Sequence, residues 1–210
     1  MTAPDGVFLV FEGGDGAGKT TQVERLCCWL ADVGREVVRT FEPGDTAVGA
    51  QLRRLVLDPA TGDLSARAEA LLYAADKAQH LQDLVRPALA RGAVVVCDRY
   101  VDSMLAYQGA GRILRLDEVE QVARWATEDL RPHLTVLLDL DPGEAVATKA
   151  NKDRLEAAGD DLHHRARDFF LALAAADPEH YLVVPARLPI AEIAERVRDR
   201  VRPLLPTPFR

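Results

Sequence analysis

Apolar residues gather in short, nearly unbroken runs along the chain. Val7–Phe11, Ala93–Cys97, Leu134–Leu138 and Tyr181–Val184 are four to five residues long and rich in β-formers. Runs of that length and kind predict strands buried on both faces. Two of them end in a carboxylate, Asp98 and Asp139, and Val37-Val38 with its neighbours adds a shorter fifth strand. Between the runs the pattern changes to a helical period. Helices are predicted from about Lys19 to Val33, where Gly34 stops the first, and from Thr46 to Leu57, with Val48, Leu52, Leu55 and Val56 as its apolar positions. A long helix opens at Ser65 and runs to about Arg91, with Gly92 as its cap and Pro87 predicting a kink or break near its end. Further helices are read over Leu116–Thr127, His163–Ala176 and Ile190–Leu204. Asp141-Pro142-Gly143-Glu144 reads as a helix start, with Asp141 as N-cap, Pro142 in first position and Glu144 closing a capping box. Strand and helix therefore alternate about five times, which implies a parallel sheet covered on both faces. Ligands of such sheets bind beyond the carboxyl ends of the strands. With no internal repeat, low-complexity tract or long linker, residues 1–210 read as a single domain.

Composition narrows the function. At 210 residues, 48% apolar and 28% charged, the chain suits one well-buried domain. Its formal net charge of -7 argues against non-specific nucleic-acid binding, which depends on neutralising phosphates with Lys and Arg. A phosphate ligand must then be held by local geometry. Cys27, Cys28 and Cys97 are odd in number and lack metal-ligand spacing, so they read as reduced, buried thiols of a cytosolic protein. No apolar run approaches the ~18 residues of a membrane span, and Met1–Gly6 lacks an export signal. A cytoplasmic location without a membrane partner is the expectation.

Gly13-Gly14-Asp15-Gly16-Ala17-Gly18-Lys19-Thr20 matches G-x-x-x-x-G-K-[ST] in full, between a predicted strand and a predicted helix. Glycines let such a loop turn its backbone N–H groups onto a phosphate, and the helix N-terminus adds partial positive charge. Gly13 through Thr21 is the expected ATP site. Lys19 would reach the β- and γ-phosphates and Thr20 would ligate Mg²⁺. Asp98-Arg99-Tyr100 ends the Val94–Cys97 strand, placing a second Mg²⁺ carboxylate, Asp98, beside the loop, with Arg99 able to fork onto another phosphate. The bland alternatives are a glycine-rich turn and an N-cap Asp beside a surface Arg.

These motifs, in this order, resemble the bacterial thymidylate kinase family over nearly the whole chain: Phe11 to Thr20, Glu42-Pro43-Gly44, Asp98-Arg99-Tyr100, Ser103 with Ala106-Tyr107-Gln108-Gly109, and Asp153-Arg154-Leu155-Glu156. The resemblance implies a three-layer P-loop sandwich that makes dTDP from dTMP and ATP, with Mg²⁺, as a homodimer with a lid near 148–161. It also implies that Asp15 accepts from the sugar hydroxyl, that Arg99 binds the acceptor phosphate, and that Tyr73 stacks on the base with Lys77 beside it. Glu42, Pro43, Ser103, Met104, Tyr107 and Gln108 would complete the acceptor pocket. Glu69, Tyr73, Lys77 and His80 form a polar stripe on the long helix, apart from the apolar one at Leu71, Leu72, Ala75, Ala78 and Leu81, although a solvated face gives the same pattern.

The chain departs from the family pattern in four places. Phe41 and Asp45 stand where Arg-Glu-Pro-Gly-Gly-Thr has arginine and glycine. Lys77 replaces an arginine, and Met104 a small polar residue or asparagine. Lysine lacks arginine's planar fork, so base discrimination is expected to be looser. A kinase for another nucleotide and a nucleotide-binding protein with little activity stay open as alternatives.

Phosphoryl transfer needs positive charge on the moving group. With Gly16 at the P-loop position that is basic in one branch of the family, lid residues Lys149, Lys152 and Arg154 are the candidates. Arg154→Ala is expected to lower kcat much more than it raises KM for ATP, because such a charge acts mainly in the transition state. Lys149→Ala and Lys152→Ala should cost less. Near-normal kcat in the triple variant would place the charge elsewhere.

Overall fold

A computed structural model describes residues 6–110, 114–144 and 160–205 of the chain. Lys149, Lys152, Arg154 and nearly all of the expected lid lie outside the described residues. All five expected strands are present: β1 (Val7–Gly13), β2 (Val37–Phe41), β3 (Val94–Asp98), β4 (Leu134–Asp139) and β5 (Tyr181–Pro185). They run parallel in the order β2-β3-β1-β4-β5. From the central β1 the chain crosses to the edge strand β2, returns through β3 beside β1, and then builds outward to β4 and β5 on the other side. That reversal opens a crevice at the carboxyl end of β1, where ligands of open α/β sheets bind.

β1 is buried along its whole length, and its residues alternate between the two faces. Val7, Leu9 and Phe11 pack with Val23, Leu26 and Leu30 of α1 (Lys19–Asp32). On the same face lie Ile193, Val197 and Val201 of a helix near the chain end, Ile190–Val201. Phe8 and Val10 face the other way, onto Leu81, Val85, Ala88 and Tyr100. This makes three layers, as expected.

α2 (Ala47–Leu57) starts at Thr46, whose hydroxyl accepts from Gly49 N. Of its four apolar positions only Val56 is buried, and Val48 and Leu55 are each 46% exposed. The long helix breaks before Pro87, as predicted. α3 (Ala66–His80) is capped by the Ser65 hydroxyl, a wide π turn occupies Leu81–Val85, and α4 (Arg86–Ala90) follows. Proline has no N–H and crowds the preceding turn, so the backbone bonds widen to i→i+5, with Arg86 N donating to Leu81 O.

After β3 comes a helix that the sequence pattern did not single out, α5 (Val101–Met104), prolonged by a π turn over Leu105–Ala110. α6 (Leu116–Thr127) has the predicted bounds. α7 starts three residues earlier than expected and spans Asp160–Ala176. The closing helix, α8, ends at Val201 and gives way to a 3-10 turn over Arg202–Leu204. Pro142–Glu144 forms one 3-10 turn, with Asp141 Oδ1 accepting from Gly143 N at 2.9 Å. The cysteines are free, but only Cys97 is buried, and Cys28 is exposed against expectation. No described helix is long and apolar enough to cross a membrane.

Candidate active site

Strand register sets the site's geometry. Phe11 of β1 and Phe41 of β2 both pair with Asp98 of β3, so three strands deliver their next residues to one edge. Gly13, Gly16 and Gly18 take positive φ as the P-loop turns. At Gly13 a side chain is excluded outright, since a Cβ would come within 2.4 Å of Leu138 O. Gly18 caps α1 without any side-chain bond, which leaves the first N–H groups of that helix for an anion. Thr20 and Thr21 are exposed beside them.

Lys19 is buried, and its ammonium donates to Gly13 O at 3.0 Å and Gly14 O at 2.9 Å. Burial, then the nearby Arg99 charge, push its pKa down to about 8. The group is thus a desolvated cation held by two carbonyls, and it gains strongly from an anion. Thr20 Oγ1 donates to Asp98 Oδ2 at 3.0 Å, so the two expected metal ligands meet.

Arg99 sits at φ 71, an uncommon conformation for a residue other than glycine, with its N–H on Phe11 O at 2.9 Å. Its guanidinium donates to Asp15 Oδ1 at 2.7 Å and Ser103 Oγ at 3.0 Å and lies 5.6 Å from the Tyr107 ring centre. Burial would raise the Asp15 pKa, but the Arg99 and Lys19 charges together hold it below the usual carboxylate range.

Beside this pair lies a cavity of about 110 Å³. It brings together every expected acceptor residue: Asp15 and Arg99 at the P-loop side, Glu42 and Pro43 after β2, Tyr73 and Lys77 on α3, and Ser103, Met104, Tyr107 and Gln108 from α5 and its extension. Its volume is on the scale of one aromatic ring, since an apolar cavity of roughly 150 Å³ takes benzene. Leu57, Arg53 and Tyr100 line it too, and the sequence reading missed all three. Arg53 donates to Pro43 O at 2.6 Å and stacks on the Phe41 ring.

The polar stripe of α3 is the buried one. Glu69, Tyr73, Lys77 and His80 are 1–8% exposed, whereas Leu71 of the apolar stripe is 58% exposed. Lys77 is not a free point charge, because its ammonium bonds Glu42 Oε2 at 2.5 Å. Burial opposes the Glu42 charge, but Lys77 and His80 more than offset it and lower the pKa. Gln108 Nε2 donates to Glu69 Oε1 at 3.1 Å.

Glu12 is a further residue the sequence reading left out. Fully buried, its carboxylate accepts from Tyr100 N, Ser103 N and Ser103 Oγ at 2.8, 3.1 and 2.6 Å. Its only sequence signal is a charge inside an otherwise apolar strand. Glu42, His80 and Cys97 place three possible metal ligands within 4.8 Å of one another. Every donor there is already engaged, however, and a lysine ammonium occupies the carboxylate. That cluster is therefore a hydrogen-bonded unit of the cavity wall.

Comparison with known proteins agrees with this geometry. The profile of the family described as thymidylate kinase matches residues 11–197. The chain is 60% identical over 200 residues to a thymidylate kinase of Cutibacterium acnes, covering 95% of this chain and 98% of that protein. It is 52% identical over 204 residues to one from Clavibacter michiganensis, covering 95% and 96%. Among solved structures, thymidylate kinase from Ehrlichia chaffeensis superposes with a TM-score of 0.79 at 28% identity, covering 95% of this chain and all of that one.

Lys19→Met is expected to abolish phosphoryl transfer without lowering the stability of the nucleotide-free protein, because it removes a buried cation that only carbonyls hold. The same argument fixes a pH trend. Between about 8 and the ordinary 10.5, the unfolded chain keeps a proton that the folded state has shed. The wild type should therefore gain stability relative to the variant as pH rises through that window. Urea unfolding of both proteins across it, with a turnover assay, checks the two expectations. More than a few percent residual kcat, or a variant clearly less stable at pH 7, would contradict them.

Proposed function

The chain belongs to the thymidylate kinase family, and from that membership and the site's geometry we infer that it transfers the terminal phosphoryl group of ATP to thymidine monophosphate. One observation carries the residue-level reading: a single-ring cavity opens onto the P-loop through the Arg99–Asp15 pair. Two nucleotides entering from the P-loop and from the cavity would meet phosphate to phosphate at that pair. A purine kinase would need a roomier cavity, and an inactive binder would have no use for cations at the joint.

The residues divide the work. Backbone N–H groups from Gly13 to Thr21 and the start of α1 hold the donor phosphates. Lys19 turns from the Gly13 and Gly14 carbonyls to the β- and γ-oxygens. Thr20 and Asp98 offer hard oxygens 3.0 Å apart, a donor set that suits Mg²⁺. When bound, the ion neutralises charge on the donor phosphates. Arg99 orients the acceptor phosphate, whose oxygen is already anionic and needs no general base. Asp15 takes the sugar hydroxyl, Tyr73 stacks on the base, and Ser103, Tyr107 and Gln108 close the cavity. Catalysis in this arrangement is positioning and charge stabilisation.

The Glu42 clamp also changes the expectation for specificity. Looser discrimination followed from lysine's lack of a planar fork. In the structure Lys77 is 2% exposed and bonded, so its direction is fixed. Selection against uracil then rests on the 5-methyl group, for which Leu57 and Met104 offer apolar lining.

For the homodimer, the outer face of α3 and α6 is the candidate surface. Leu71 and Trp125 are 58% and 83% exposed and share a shallow groove with Ala70, Val119 and Val122. Large apolar groups grouped in this way mark association surfaces.

Two measurements test these readings. In kcat/KM across dTMP, dUMP, dCMP, dGMP and dAMP, dTMP should lead and dUMP should trail by roughly 10–200-fold, the worth of one methyl group in an apolar pocket. The purines should be poor. If another monophosphate leads, the acceptor assignment fails, and if none turns over while ATP still binds, so does the activity. Sedimentation should show a dimer that Trp125→Glu with Leu71→Glu converts to a folded monomer. A wild-type monomer, or a dimeric double variant, would discard that surface.

A further inference from the structure

Behind the cavity wall a line of side chains leads from the surface to Lys77. Asp45 Oδ2 lies 2.6 Å from Thr40 Oγ1, and that oxygen lies 2.6 Å from His80 Nε2. His80 Nδ1 lies 2.7 Å from Glu42 Oε1, whose other oxygen holds Lys77. Asp45 is half-exposed, and the other four residues are buried.

At these separations each contact needs a hydrogen between its heavy atoms. The three contacts from Asp45 to Glu42 therefore need three hydrogens. The Thr40 hydroxyl supplies one and a neutral imidazole supplies another. The line thus carries one proton more than a neutral histidine between two carboxylates would provide. Its best place is His80, which has an acceptor oxygen on both sides: Glu42 on one, and on the other Thr40, whose own hydrogen is turned to Asp45.

We propose that His80 is a doubly protonated positioning residue, held between Glu42 and the Asp45–Thr40 pair, and that it sets how tightly Glu42 holds Lys77 at the base. This rests on reading the cavity as the acceptor site. While the imidazolium occupies Oε1, the Glu42 charge is shared between two cations. With a neutral imidazole it falls on Lys77 alone, and the ammonium has less to offer the nucleotide. Other titratable groups face this unit. Asp76 on α3 accepts from Gly44 N, Cys97 on β3 donates to Arg99 O, the Tyr100 hydroxyl donates to Leu130 O, and Glu12 accepts from Tyr100 and Ser103, so none of them supplies the missing hydrogen.

The test is a long-range ¹H–¹⁵N correlation on the full-length protein near pH 7. His80→Gln assigns the His80 signals among the five histidines. Wild-type His80 should show both ring nitrogens protonated. In Asp45→Asn the amide donates to Thr40, whose hydroxyl turns to Nε2, so His80 should become the neutral Nδ1–H form. KM for dTMP should then rise roughly two- to tenfold, the span of one hydrogen bond's net strength, at unchanged kcat. A bare ring nitrogen in the wild type, or an imidazolium that persists in Asp45→Asn, overturns the proton assignment. A switch in the spectrum without a change in KM overturns the positioning role. A wild type inactive on dTMP would remove the acceptor reading, while the spectrum would still decide the state of His80.

Discussion

The proposed acceptor half of the site hangs from a carboxylate that never meets water. Glu12, the last residue but one of β1, accepts three hydrogen bonds from Tyr100 and Ser103, just after the end of β3. Burial raises its pKa, and Arg99 and those bonds pull it back. A buried charge without partners would cost several kcal/mol, so the start of α5 is tied to this one position. Arg99 is caught inside the same tie. Its left-handed backbone is held by Phe11 O, and its side chain lies between Ser103 and Asp15. Loss of the Glu12 carboxylate would release Arg99, the residue proposed to link the two nucleotide sites.

The same constraint extends round the cavity. Glu42 balances Lys77 and bonds His80, Asp15 balances Arg99, and Lys19 is left with carbonyls alone. Among these described cations Lys19 is the one without a carboxylate in direct contact, and it lies where an anionic donor would enter. Charge that is matched in the empty protein belongs to the walls, whereas unmatched charge marks the place of a charged ligand. The 7% exposure of Lys19 makes that distinction matter, because water cannot take the ligand's place there.

Much of this was legible in the sequence, for physical reasons. Buried parallel strands need continuous apolar runs, so all five strands and the α/β class could be read directly. The P-loop is a contiguous motif because a phosphate cradle is built from successive backbone groups. Asp98 and Arg99 follow because the ends of β1 and β3 are in register. What could not be read depends on pairings distant in sequence. Glu12 meets Ser103 across 91 positions, and Glu42 meets His80 across 38. Neither partner has a local pattern that announces the other. α5 was missed because its four residues, Val101–Met104, are too few to show a helical period. The clamp on Lys77 was hidden for a similar reason, since Glu42 comes from a different element.

α3 shows most clearly why periodicity alone misplaces a functional helix. An amphipathic pattern says that one stripe is buried, and the default assigns burial to the apolar stripe. Here the polar stripe carries the cavity wall, and its Glu69, Lys77 and His80 are each bonded from another element. Once those partners remove the desolvation penalty, nothing forces Leu71 inward, and it stays at the surface with Trp125 from α6. The two faces of the helix are therefore coupled choices. Polar groups that pair inside to shape a ligand site leave apolar groups outside, and that apolar surface is stable in water chiefly when something covers it. The cavity wall and the proposed association surface are thus two consequences of one inverted helix, each following from the pairing of charges on its buried side.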